Sequence, residues 1–214
     1  MREDLEQQEQ LAAIKGFWSD NKNWILPLLL LALLSATAFN GWNWWQNRQA
    51  VNAAQALVAI EGALAEQSLE KARAAYKALA NDYGGSTQAA LGGLQMAKAL
   101  VAAGELAEAR TVLAQVADKA AEEFAWMARI RMAGVMLDEN NAKGALEALT
   151  GKPPKAFVAL VDDRKGDAHA ALGNKEEARS AWRAAADGLP AQSPSRELIL
   201  RKLQTIDSFG SAKS

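Results

Sequence analysis

Gly166-Asp-Ala-His-Ala-Ala-Leu-Gly-Asn-Lys-Glu-Glu-Ala-Arg-Ser-Ala-Trp-Arg183 is the stretch that decides the fold of this chain. Gly173 and Asn174 divide it into two helical segments, and a glycine just past a helix end lets the chain stop and reverse. Ala178 and Ala185 keep the surface small where two antiparallel helices press together. Trp182 fills the gap to the next pair, and Pro190 ends the second helix.

The pattern returns three times upstream. Ala72-Arg73-Ala-Ala-Tyr76, Ala109-Arg110-Thr-Val-Leu113 and Ala145-Leu146-Glu-Ala-Leu149 precede Ala178-Arg179-Ser-Ala-Trp182, with first alanines 37, 36 and 33 residues apart. A period in the mid-thirties marks stacked supersecondary units, and the 34-residue tetratricopeptide repeat fits it. Gly104 stands five residues before Ala109, as Gly173 does before Ala178. In the third copy the polar turn Asp138-Glu-Asn-Asn-Ala-Lys143 takes that task. Helix pairs are predicted at 52–81, 86–117, 122–149 and 155–187. A closing helix at 194–207 follows, with Ser193 as its cap and Pro194 in its first position. Its polar face would shield the last pair, and residues 208–214 are expected to be disordered.

Upstream of the repeats, Asn23 to Asn47 runs twenty-five residues without a charge. From Trp24 to Trp45 a helix would span about 33 Å, matching a hydrocarbon core of about 30 Å. Its nine Leu, Ile and Phe residues favour insertion by roughly 3 to 5 kcal/mol before the weakly polar residues are counted. Trp24 at one border and Trp42, Trp44 and Trp45 at the other suit headgroup level, which makes them the expected contacts with membrane lipid. Lys15 and Lys22 on one flank outnumber Arg48 on the other, so the N-terminus is expected inside and the repeats outside. A cleaved leader stays open as the alternative, because Ala36-Thr37-Ala38 follows an apolar core. The acidic residues Glu3, Asp4, Glu6, Glu9 and Asp20 speak against that reading. Val51, Ala54, Leu57, Val58 and Leu64 start a helical period directly after the tryptophans, so a nearly continuous helix should hold the repeats close to the membrane.

The expected fold is therefore all-α: a single N-terminal transmembrane helix, then an α-solenoid of about four tetratricopeptide-like helix pairs and a capping helix. The organisation reads as a cytoplasmic tail over 1–22, a span over 23–47, a periplasmic repeat domain over 48–207 and a tail over 208–214. Abundant alanine and few β-branched residues agree with helices packed closely.

Composition closes several function classes. Twenty-four basic and 25 acidic side chains leave a net charge of −1, without a basic field for nucleic acid. Zero cysteines remove disulfides, thiolate metal sites and cysteine nucleophiles. The one histidine, His169, falls where the repeat places a core aromatic and is expected to be packed. Gly144 to Lys152 fails as a phosphate loop, because Pro153 stands where Ser or Thr would hold magnesium. The acidic pairs Asp162-Asp163 and Glu176-Glu177 read as solvated helix faces. No catalytic constellation, cofactor site or small-molecule substrate site is indicated, so an enzyme is not expected. Stacked helix pairs instead present a concave groove built from their first helices. Lys98, Asp163 and Asp167 are expected to line it, with Leu91, Leu94, Val101, Met127 and Leu160 between them.

The whole layout resembles the YfgM family, ancillary subunits of the SecYEG translocon. The likeness is carried by Gly41-Trp42-Asn43-Trp44-Trp45 at the end of the span, by Gly166 to Arg183 with its Lys-Glu-Glu-Ala-Arg-Ser-Ala-Trp block, and by Leu203-Gln204-Thr-Ile206-Asp207. The resemblance implies a short cytoplasmic tail, one span in a bacterial inner membrane and a periplasmic tetratricopeptide-like domain. It also implies help to secretory proteins at the translocon exit, with a membrane-anchored periplasmic chaperone of prolyl-isomerase-like type as a second partner. A link to envelope-stress signalling accompanies the family. A scaffold or assembly factor for another envelope complex is the alternative that the repeats themselves leave open.

Overall fold

The structure, a computed structural model, describes residues 2–211, with side chains described continuously from 10 to 206. It divides into two compact units, Met1–Gln49 and Ala50–Ser214. One helix, α1 (Arg2–Ala65), belongs to both. The expected cytoplasmic tail is therefore helical from Arg2 onwards.

Within the first unit α1 passes through the uncharged stretch without a break, although Pro27 lies inside it. Pro27 has no amide hydrogen to donate, so one helical bond is missing near the start of the stretch. Leu28 to Leu31, Leu33, Leu34 and Phe39 are all exposed. Ser35 Oγ and Thr37 Oγ1 donate back to the carbonyls of Leu31 and Leu33, each at 2.8 Å, which satisfies both hydroxyls inside the helix. That is the arrangement a lipid surrounding demands, because hydrocarbon offers no hydrogen-bond partner. α1 is the one helix among the described residues that is long and apolar enough to cross a membrane.

The second unit continues with α2 (Leu69–Tyr83), α3 (Thr87–Ala102), α4 (Leu106–Lys119), α5 (Glu122–Asp138) and α6 (Ala142–Ala148). A 3-10 turn (Lys155–Phe157), α7 (Val158–Ala171), α8 (Lys175–Asp187) and α9 (Pro194–Ser211) complete it. The fourth pair was expected from 155, but Pro153 and Pro154 hold the chain extended and the α-helix starts at Val158. Pro194 does open the last helix. That helix continues past 207 to Ser211, so the tail expected as disordered from 208 is helical over its first four residues. Residues 212–214 lie outside the described residues.

All four turns within pairs are built alike. A residue with positive φ follows the first helix: Gln67 at 56°, Gly104 at 81°, Asn140 at 60° and Gly173 at 80°. The next amide then reaches back to a carbonyl of the last helical turn. Ser68 N donates to Ala63 O at 2.9 Å, Glu105 N to Leu100 O at 2.9 Å, Asn141 N to Met136 O at 2.7 Å and Asn174 N to His169 O at 2.9 Å. This left-handed cap satisfies carbonyls that the helix end would otherwise leave bare. Ser86 Oγ caps the start of α3 by accepting from Ala89 N at 3.1 Å, and Asn141 Oδ1 caps α6 by accepting from Gly144 N at 3.0 Å.

The core is a chain of clusters, as expected when each unit contacts only its neighbours. Ile60, Leu79, Met96, Leu100 and Leu113 form the first, Trp126, Leu149 and Val161 the second, and Trp182 and Ile199 the third. Ile199 on α9 is 1% exposed, so the closing helix caps the last pair with a buried apolar side chain. Close approach is set by missing side chains. A Cβ on Gly166 would lie 2.4 Å from the Trp182 ring, so α7 can rest on the indole only because residue 166 has none.

Candidate partner-binding groove

The first helices of successive pairs carry side chains on a shared register. Lys98 on α3, Arg131 on α5 and Arg164 on α7 stand 33 residues apart at each step, one per repeat. α5 packs against both α3 and α7, which brings these three positions together. They line a cavity of about 530 Å³ with Ala97, Val101, Leu113, Gly134, Val135 and Asp138. The walls are apolar, the cations come from three helices, and Asp138 is the one lining acid.

Of the three charged residues expected in a groove, Lys98 lines this cavity. Asp163 and Asp167 do not line this cavity. Lys202 Nζ, from the closing helix, donates to Asp163 Oδ1 at 2.7 Å and to Asp167 Oδ1 at 2.6 Å. Trp182 Nε1 donates to Asp167 Oδ1 at 3.1 Å, and Arg164 Nη1 to Asp167 Oδ2 at 3.1 Å. The Lys202 ammonium also lies 5.7 Å from the centre of the Trp182 ring. Asp163 thus ties α7 to α9, and Asp167 ties it to both α8 and α9. Of the apolar residues expected between them, Leu94 is buried core, while Leu91, Val101 and Leu160 are partly exposed.

Arg131 and Arg164 were missed by sequence reasoning, although the 33-residue step from Lys98 is a signal that could have found them. Arg131 Nη1 reaches only the Leu94 carbonyl, at 3.5 Å. Arg164 Nε is buried and has no hydrogen-bond partner among the described residues. Among the described residues neither Lys98 nor Arg131 meets a carboxylate.

The arginines of the repeat motif behave differently. Arg73 Nε donates to Glu108 Oε1 at 2.7 Å and its Nη2 to Glu105 Oε2 at 2.6 Å, while Glu70 pairs with it inside α2. Arg110 Nε meets Glu139 Oε2 at 3.0 Å, and Arg179 meets Glu176 at 2.5 Å. The hydrogen bond to Glu108 above all raises the Arg73 guanidinium, against the lowering effect of burial. The same bond holds the Glu108 carboxyl below its ordinary value. Burial pushes the neighbouring Tyr76 hydroxyl up.

His169 is half-buried on α7, with a buried Nδ1 that has no hydrogen-bond partner among the described residues. No group of three acid or histidine side chains able to hold a metal ion occurs among the described residues. In the first unit Trp24 Nε1 donates to Asn21 Oδ1 at 2.8 Å. Trp42 and Trp45 lie 5.3 Å apart between ring centres, and the Arg48 guanidinium sits 5.6 Å over the Trp44 ring. All four indoles are exposed.

Helix pairs of this length, joined by left-handed caps and closed by a final helix, define a tetratricopeptide-type helical repeat protein, here joined to a helix able to span a membrane. The model of the "Tetratricopeptide repeat-like domain" family matches residues 15–208, and the chain belongs to that family. It is 30% identical over 203 residues to the "Ancillary SecYEG translocon subunit" of Escherichia coli (strain K12), covering 92% of this chain and 96% of that one. The protein of the same name from Neisseria gonorrhoeae (strain ATCC 700825 / FA 1090) is 29% identical over 218 residues, covering 96% and 100%. Among solved structures, "MamA 41-end from Desulfovibrio magneticus RS-1" superposes with a TM-score of 0.56 at 22% identity, over 74% of this chain and 85% of that one. That likeness is one of fold.

Proposed function

We propose that this protein is a membrane-anchored interaction module serving the Sec translocon. The observation that carries the reading is the end-to-end likeness to an ancillary translocon subunit, which spans the apolar stretch and the repeats alike. In this reading α1 anchors the chain in a bacterial inner membrane, with Trp24, Trp42, Trp44 and Trp45 at its borders. The N-terminus is cytoplasmic and the repeats are periplasmic. The groove of α3, α5 and α7 takes a segment of an emerging secretory protein or of a companion subunit, and a membrane-anchored periplasmic chaperone of prolyl-isomerase-like type works beside it. Repeat grooves of this kind bind extended segments by surface complementarity and need no catalytic group.

Photo-crosslinking in living cells from positions 98 and 45, followed by identification of the captured proteins, tests the reading. Translocon subunits at position 45 and secretory proteins or periplasmic chaperones at position 98 are the expected catch. Envelope proteins with no translocon subunit among them would overturn it in favour of a scaffold for another complex.

A further inference from the structure

We infer that α1 pairs within the membrane with α1 of a second copy of this chain, in parallel, along a seam that ends in asparagines. The inference goes beyond the translocon reading of the repeats and rests on α1 as the membrane anchor. Its first support is spacing. Leu29, Leu33, Ala36, Asn40, Asn43 and Asn47 follow one another at alternating steps of four and three residues. Those steps keep them on one stripe of the helix through nearly three heptads, the pattern of two helices wound around each other with a left-handed twist. All six are exposed within the first unit.

The second support is polarity. Asn40 stands five residues, about 7.5 Å, before Trp45, on the apolar side of the tryptophan border. Ser35 and Thr37, off the stripe, satisfy their hydroxyls on carbonyls of their own helix. The amides of Asn40, Asn43 and Asn47 have no hydrogen-bond partner among the described residues. A bare amide in hydrocarbon is costly, and lipid tails offer nothing to bond, so the stripe calls for a helix that brings its own donors and acceptors. Self-complementarity identifies that helix. An asparagine amide both donates and accepts, so two asparagines face to face complete each other's bonding. Copies of one sequence insert in one direction, so their helices run parallel and like-numbered residues meet layer by layer. Asn40, Asn43 and Asn47 then each meet their equals, and Ala36 lets the backbones approach closely beside them. Asparagine at seam positions of this kind also fixes the register of such a pair. Trp42, Trp44 and Trp45 fall outside the stripe, which leaves the indoles free for headgroups and for other proteins.

The chain has no cysteine, so single cysteines placed in α1 of the full-length protein report the seam directly in native membranes. Cells would carry each variant as two copies with different affinity tags, and their membranes would be treated with a mild oxidant. Ala36→Cys, Asn40→Cys and Asn43→Cys are expected to give a product of doubled mass that bears both tags. Ala38→Cys and Gly41→Cys, on the opposite face, should give about fivefold less, because their sulfurs cannot reach each other across the pair. In liposomes, energy transfer between dye-labelled copies measures the association itself. Asn40→Leu combined with Asn43→Leu keeps the span apolar and should weaken it about tenfold, while Ala38→Leu leaves it unchanged. Crosslinking without the seam's period, a seam product that joins this chain to a different protein, or unchanged association of the double variant overturns the pair. Alkaline carbonate extraction of the same membranes separates the two readings. Protein released by carbonate loses the anchor and the pair together; protein that stays integral without seam crosslinks loses the pair alone.

Discussion

Cations recur on both helices of the repeat, and they end in opposite states. On second helices the arginine after the motif alanine lies against acids of its own or the next unit, as Arg73 does with Glu70, Glu105 and Glu108. On first helices the cations at 33-residue steps face a cavity, and the two of them nearest the N-terminus meet no carboxylate among the described residues. The same residue type therefore serves cohesion on one side of the stack and remains available on the other. The difference follows from packing: the stack brings glutamates of neighbouring units to the motif arginines, whereas the first helices turn their cations toward an open groove.

The largest expected effect tests the seam. Trp182→Ala removes the indole that fills the space above Gly166 and leaves Asp167 without one of its donors, so urea unfolding should show a loss of about 3 to 5 kcal/mol. Next comes Lys202→Met, which takes from half-buried Asp163 its ammonium partner and from Asp167 one of three donors; a loss of about 1 to 3 kcal/mol is expected from the same measurement.

Arg73→Gln is milder and carries a pH signature. Arg73 holds the Glu108 carboxyl below its ordinary value of 4.5, so the folded state binds that proton more weakly than the unfolded chain. The pair's contribution is thus present above the ordinary value and lost as pH falls through the lower folded one. Melting curves of wild type and Arg73→Gln should differ at neutral pH and converge on acidification; curves that stay parallel would break the assignment. The smallest effect belongs to the groove. Arg131→Met and Lys98→Met should change stability by no more than about 0.5 kcal/mol, because neither side chain holds the stack together. A larger loss would mean that the groove cations serve cohesion after all.

Much of the fold was legible in the sequence because it is written in period and in small residues. Gly104 and Gly173 marked two turns through the positive φ they permit, and the Asn-rich stretch marked a third at Asn140. Gln67 marked nothing, since a glutamine in the left-handed region costs about 1 to 2 kcal/mol relative to a right-handed one and is recognisable only in place. The candidate groove was less legible. Lys98 could be placed on a first helix from the period, but the binding of Asp163 and Asp167 to Lys202 could not be read, because Lys202 lies 39 and 35 residues away on a helix outside the repeat.

By itself the sequence determined an apolar stretch long enough to span a membrane, helix pairs at a period near 34, and a closing helix opened by Pro194. These depend on local propensity and on hydrophobic periodicity, which neighbouring residues carry. Only the tertiary structure decided which charges are consumed and which stay open. Whether a lysine or arginine meets a carboxylate depends on distances between helices tens of residues apart, and that stacking sets Arg73 against Glu108 while it leaves Lys98 and Arg131 facing the groove.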